Sequence, residues 1–161
     1  MNDLKTLFDL ALASESIMRS LYRRSAKFFS HLPRIVEFCA RMEKDEILHI
    51  EKLLALRDSL SLEQLSQPVD PGELKALREI KKDFPDEAFE KMENLDDFYE
   101  LANELEFSET NAIFQSLFKK HSPSSRETRS FLLLHDTHQE NLVVLSEEFP
   151  RAERQKILTA R

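Results

Sequence analysis

Gly72 is the only glycine among the 161 residues, and a chain with so little turn material cannot be a succession of short strands joined by tight hairpins. With Leu and Glu the commonest residues, Ala, Lys, Arg and Phe abundant beside Ser, and no Trp, the composition reads as all-α. An apolar content of 41% suffices for one sizeable core. The punctuation lies where prolines fall. Asn2 or Asp3 opens a first helix that runs to about Ser30, and His31-Leu32-Pro33 ends it and starts a second that fades near Leu60. Residues 61 to 95 read as a long, partly helical crossover, with an N-cap and first-position Pro at Asp70-Pro71 and a break at Phe84-Pro85. A third long helix is expected from Asn94–Asp97 to about Lys120. A fourth starts at Ser124, where Glu127 fits a capping box, and stops at Phe149-Pro150. Residues 1–150 therefore form one domain of four long helices, two antiparallel hairpins joined by the crossover, and 151–161 form a C-terminal tail.

Charge narrows the function. A formal net charge of −7, with basic residues scattered among acidic ones, argues against nucleic acid as a partner. Asp3, Lys5, Asp9 and Glu15 interrupt any apolar leader, and no stretch approaches the ~20 apolar residues of a membrane span. The expectation is a soluble, cytoplasmic protein. Cys39, the single cysteine, falls on an apolar stripe and reads as a small core residue.

The informative residues are polar ones on buried faces. In the second helix Glu46 and His49 lie three apart, within about 60° of each other on a stripe of Ile35, Phe38, Cys39, Met42, Leu53 and Leu56. In the first, Glu15 stands between Ala11 and Met18, with Tyr22 on the same face. The third carries Glu106 and Glu109 in its centre, and the fourth places His135 and His138 between Phe131, Leu134, Leu142 and Leu145. A buried carboxylate requires a partner. Hydrogen bonding within the core is one way to supply it, and a metal ion is the other.

Comparing the two halves favours the metal. Glu15 precedes Glu46 by 31 residues and Glu106 precedes His135 by 29, with His49 and His138 each three residues further on. Two copies of a helix hairpin, each bringing one carboxylate and one i, i+3 chelating pair, make a bundle whose centre is a box of oxygen and nitrogen ligands. That is the arrangement of a two-metal carboxylate site.

Glu15, Tyr22 seven residues on, Glu46-x-x-His49 and Glu106-x-x-Glu109 together resemble the ligand pattern of the rubrerythrin-like branch of the ferritin-like superfamily. The resemblance covers the four long helices and implies a ferritin-like four-helix bundle holding two irons. It implies terminal or bridging carboxylates at Glu15, Glu46 and Glu106, imidazoles at His49 and His138, a further carboxylate at Glu109, a catalytic environment that includes Tyr22, and chemistry on peroxide or dioxygen. His135 stands where the family has the Glu of its fourth-helix Glu-x-x-His, and Ile113 is the second-half counterpart of Tyr22. The chain has no cysteines for a rubredoxin-type domain, so an external electron donor is implied. Glu15, Glu46, Glu106 and Glu109 supply four negative charges against two divalent ions, with His49, His135 and His138 as neutral donors. An imidazole in place of a bridging carboxylate leaves zinc or manganese open beside iron. Metal binding without turnover is the rival reading. The Phe107, Phe114 and Phe118 stripe on a second face of the third helix predicts a homodimer.

Overall fold

The computed structural model describes residues 1–84, 86–108 and 110–160. The chain is all-helical in these residues: strand pairing amounts to two isolated bridges, Asp3 with Pro68 and Asn94 with Leu158. Helix α1 spans Leu4–Phe28 and α2 spans Pro33–Asp58. Asp3 caps α1 by accepting the Thr6 amide at 2.9 Å, and Pro33 opens α2 where a missing N–H costs nothing. The two pack closely and in opposite directions, as the ion pairs Arg57–Asp9 and Arg19–Glu43 at their two ends require.

The crossover holds α3 (Leu62–Leu65), α4 (Pro71–Asp83) and α5 (Asp86–Glu90). It is more than a connection. Leu74, Leu77 and Ile80 of α4 are buried, the first two in the same apolar cluster as Leu4, Leu7 and Phe8 of α1. Helix α6 (Leu95–Glu106) then starts on a capping box in which Asn94 and Asp97 satisfy each other's backbone amides.

The single third helix expected from 94 to 120 is divided: α6 stops at Glu106 and α7 spans Thr110–His121. The physical cause is local and tertiary at once. Ser108 turns its hydroxyl back onto the Leu105 carbonyl at 2.8 Å, and Gln139, from the helix that follows α7, donates to the Glu106 carbonyl at 2.9 Å. A continuous helix would have given that carbonyl to the amide of residue 110.

Helix α8 (Ser125–Glu148) is capped by Ser124, which accepts the Glu127 amide. The tail forms the short α9 (Arg151–Arg154) and lies against the body: Leu95 donates to the Ile157 carbonyl and Thr159 to that of Glu93. Arg154 is buried with Asp96 at 2.8 Å and sits over the Tyr99 ring.

Pairings along the helices fix their directions. Lys52 meets Ser130 and Asp45 meets His138, so α2 and α8 run oppositely; Phe29 meets Phe98 and Tyr22 meets Glu106, so α1 and α6 do too. The order is up, down, crossover, down, up. Two apolar clusters result, one around Tyr22, Phe29, Phe38 and Phe98, the other around Phe8, Leu53, Phe114 and Phe131. Phe114 and Phe118 belong to the second and are buried within the chain, and only Phe107 of the proposed dimer stripe is exposed. Two of the three rings that suggested a homodimer are therefore spent on the chain's own core.

Candidate metal centre

Between the two apolar clusters, α1, α2, α6 and α8 each turn a polar side chain inward. Glu15, Glu46, His49, Glu106 and His138 are all at most 2% exposed. The helical periods put them there: Glu46 and His49 are one turn apart on the α2 stripe, and Glu15 takes the α1 position between Ala11 and Met18.

They form two groups of three, each with donor atoms within 4.8 Å of one another: Glu15, Glu46 and His49, and Glu46, Glu106 and His138. Glu46 belongs to both. In the first, His49 Nδ1 lies 3.1 Å from Glu15 Oε2 and 3.3 Å from Glu46 Oε2. In the second, His138 Nε2 lies 2.5 Å from Glu106 Oε1 and 2.7 Å from Glu46 Oε1. The single Nε2–H is aimed at Glu106, which leaves Glu46 Oε1 in contact with the imidazole but without a hydrogen bond among the described residues. Three Lewis-basic groups thus converge in each half.

The protonation states show what this convergence costs. Burial, with the charge of Glu46, pushes the Glu15 carboxyl up to about 8. Burial alone would depress His49, but the Glu15 and Glu46 carboxylates outweigh it and raise the imidazole to about 10. His138 is likewise held well above its ordinary range, against burial, by Glu106 and Glu46. Burial would raise Glu46, and the facing His138 charge reverses it, holding that carboxyl below its usual value. Protons here do the neutralising work that a divalent cation does in a site of carboxylates and imidazoles. The residues present fit such an ion: carboxylate oxygens and imidazole nitrogens in one dry space, with a shared carboxylate between two positions. These groups can hold metal.

Tyr22 is fully buried and its hydroxyl donates to Glu106 Oε1 at 2.7 Å, with its ring edge-on to His138. Burial and the Glu106 charge push the phenol well above its ordinary range, so it remains a donor. His135 is also buried, yet it joins neither group of three; its ring stacks on that of His49 with centroids 6.2 Å apart. Burial, followed by the charge of His49, lowers its affinity for a second proton. Glu109 lies outside the described residues.

Two supporting residues escape a periodicity argument. Asp45 Oδ2 is 3.4 Å from His138 Nδ1, so it orients the ring whose Nε2 faces the centre. Gln139 holds the end of α6 at Glu106. Each is next in sequence to a buried ligand candidate, about 100° round the helix, and helical phase alone assigns both to an outward face. Only their contacts with another helix reveal their part.

The fold and the site define an all-helical protein with two buried glutamate–histidine groups, joined through Glu46, that can hold metal ions. No known protein family, curated protein or solved structure matches this chain. Among the described residues, no helix is long and apolar enough to cross a membrane.

Proposed function

We propose that this protein is a rubrerythrin-like, non-haem di-iron oxidoreductase of the ferritin-like four-helix-bundle type, acting on peroxide or dioxygen with electrons from an external donor. The observation that carries the reading is the pair of buried glutamate–histidine groups sharing Glu46, since a carboxylate common to two positions is what a two-metal site requires. The up, down, crossover, down, up order of the helices supports it.

Glu15 and His49 would hold one ion, Glu106 and His138 the other, and Glu46 both. Two irons in these positions supply one-electron redox chemistry toward dioxygen or peroxide. Glu15, Glu46 and Glu106 bring three of the negative charges that would balance two divalent ions, and Asp45 sets a further carboxylate against His138. Tyr22 keeps Glu106 oriented through its 2.7 Å hydrogen bond, and Asp45 does the same for His138. The apolar clusters on both sides exclude bulk water.

The test is steady-state peroxide consumption by the ferrous-loaded protein supplied with a reductant. Many turnovers per chain support an oxidoreductase. Oxidation limited to the bound iron supports metal handling without catalysis, and elemental analysis of protein from its native source decides between iron, zinc and manganese.

A further inference from the structure

The two halves of the centre differ in how their surroundings are satisfied. In the half containing Glu106, both ring nitrogens of His138 face carboxylates, Asp45 on one side and Glu46 and Glu106 on the other, and Glu106 also accepts from Tyr22. In the half containing Glu15, His49 commits Nδ1 to the carboxylates, and its Nε2 has no hydrogen-bond partner among the described residues. Neither ring nitrogen of His135 has one either, although the residue is 2% exposed.

A neutral imidazole carries one donor and one acceptor, and burying both without partners is unfavourable enough that a folded protein rarely does so without a use for them. Among the described residues His135 belongs to neither group of three whose donors lie within 4.8 Å of one another. It stands one stacked ring away from His49, at 6.2 Å between centroids and 25° between planes. Phe131 lies against both rings, 5.5 Å from that of His49 and 6.4 Å from that of His135, and is itself stacked on Phe118 at 3.9 Å.

We infer that His135 is the docking group for a small anion of the hydroperoxide class bound at the Glu15–Glu46–His49 half of the centre, donating its N–H to the end of the anion that points away from the metal. The inference rests on the two-metal reading above and adds to it which half takes the exogenous ligand and which residue holds it. The half with Asp45 and Tyr22 around it is closed; the half beside His135 is where a protein donor remains to be satisfied. A divalent ion on one side and an N–H donor on the other favour an anion over a neutral guest.

Azide serves as the probe, with cobalt(II) as a spectroscopic replacement for iron. Wild-type protein should bind two cobalt ions per chain and show an azide-dependent change in the cobalt absorption. His135→Leu should keep both ions and bind azide about tenfold or more weakly, and His135→Gln, which restores an N–H, should recover part of the loss. Unchanged azide affinity in His135→Leu overturns the inference while leaving the metal reading intact. Loss of one cobalt in His135→Leu also overturns it, because His135 would then be a ligand. Wild-type protein that binds no cobalt overturns the metal reading itself. A measurement free of variants completes the set: in the zinc-loaded wild type, azide should shift the ring nitrogen resonances of His135 more than those of His31 and His121, and equal shifts contradict the assignment.

Discussion

Asp45 is the residue whose role is most sharply testable, because it touches one half of the centre and not the other. Its carboxylate faces His138 Nδ1 and so directs Nε2 toward Glu46 and Glu106. Asp45→Asn keeps the size and loses the charge, and partners of this kind are worth about 10–100-fold in metal affinity. Calorimetric titration with manganese or zinc should show one of two binding events weakened by that factor and the other unchanged; equal weakening of both would mean that Asp45 acts on the fold. Cys39 offers a contrasting case. Burial, with the charge of Glu43, pushes its thiol up to about 12, so at pH 8 it is both neutral and fully shielded. The native protein should take up no thiol reagent over a period in which the guanidinium-unfolded chain takes up one per molecule. Reaction at the unfolded rate would show that the α1–α2 core opens readily.

Among the helices, α4 and the α6–α7 break depart most from the sequence expectation, for opposite reasons. The N-cap at Asp70 and the break at Phe84 were legible, but nothing local says that Leu74 and Leu77 would seal the flank of α1. That depends on where the crossover lies. If α4 is core, Leu74→Ala should cost about 2–4 kcal/mol in urea unfolding, as truncation of a fully buried leucine does; a cost below about 0.5 kcal/mol would make the crossover a mere tether. The break was invisible because Ala102, Glu106, Ile113 and Leu117 keep one helical phase across it. Beside the local Ser108 bond, it depends on Gln139, contributed by another helix. For the same reason the face carrying Phe114 and Phe118 read as surplus in the sequence, whereas the separate α7 turns both rings into the core.

At the scale of the whole molecule, the repeat of two helix hairpins brings like residues to one centre, and its imperfections make the halves unlike. Glu15, Glu46, His49, Glu106 and His138 were legible because charge on an apolar stripe is rare and helical spacing is rigid. That His135 lies outside both groups of three was not, since spacing fixes a face and not a distance across the core. The C-terminal segment is tied to the same body by the buried Asp96–Arg154 pair. Asp96→Ala, which strands the guanidinium, should destabilise the fold by about 3–5 kcal/mol in urea unfolding. A loss under about 1 kcal/mol would mean that the segment docks only loosely. The central claim is that Glu46 joins two metal positions, and the most direct measurement is the metal-to-protein ratio after anaerobic loading with ferrous iron and removal of the excess. Two ions per chain are expected in the wild type, one in Glu15→Ala, which removes a ligand from one half, and fewer than one in Glu46→Ala, which removes a ligand from both. Equal ratios in all three proteins, or no bound metal in the wild type, would contradict that claim.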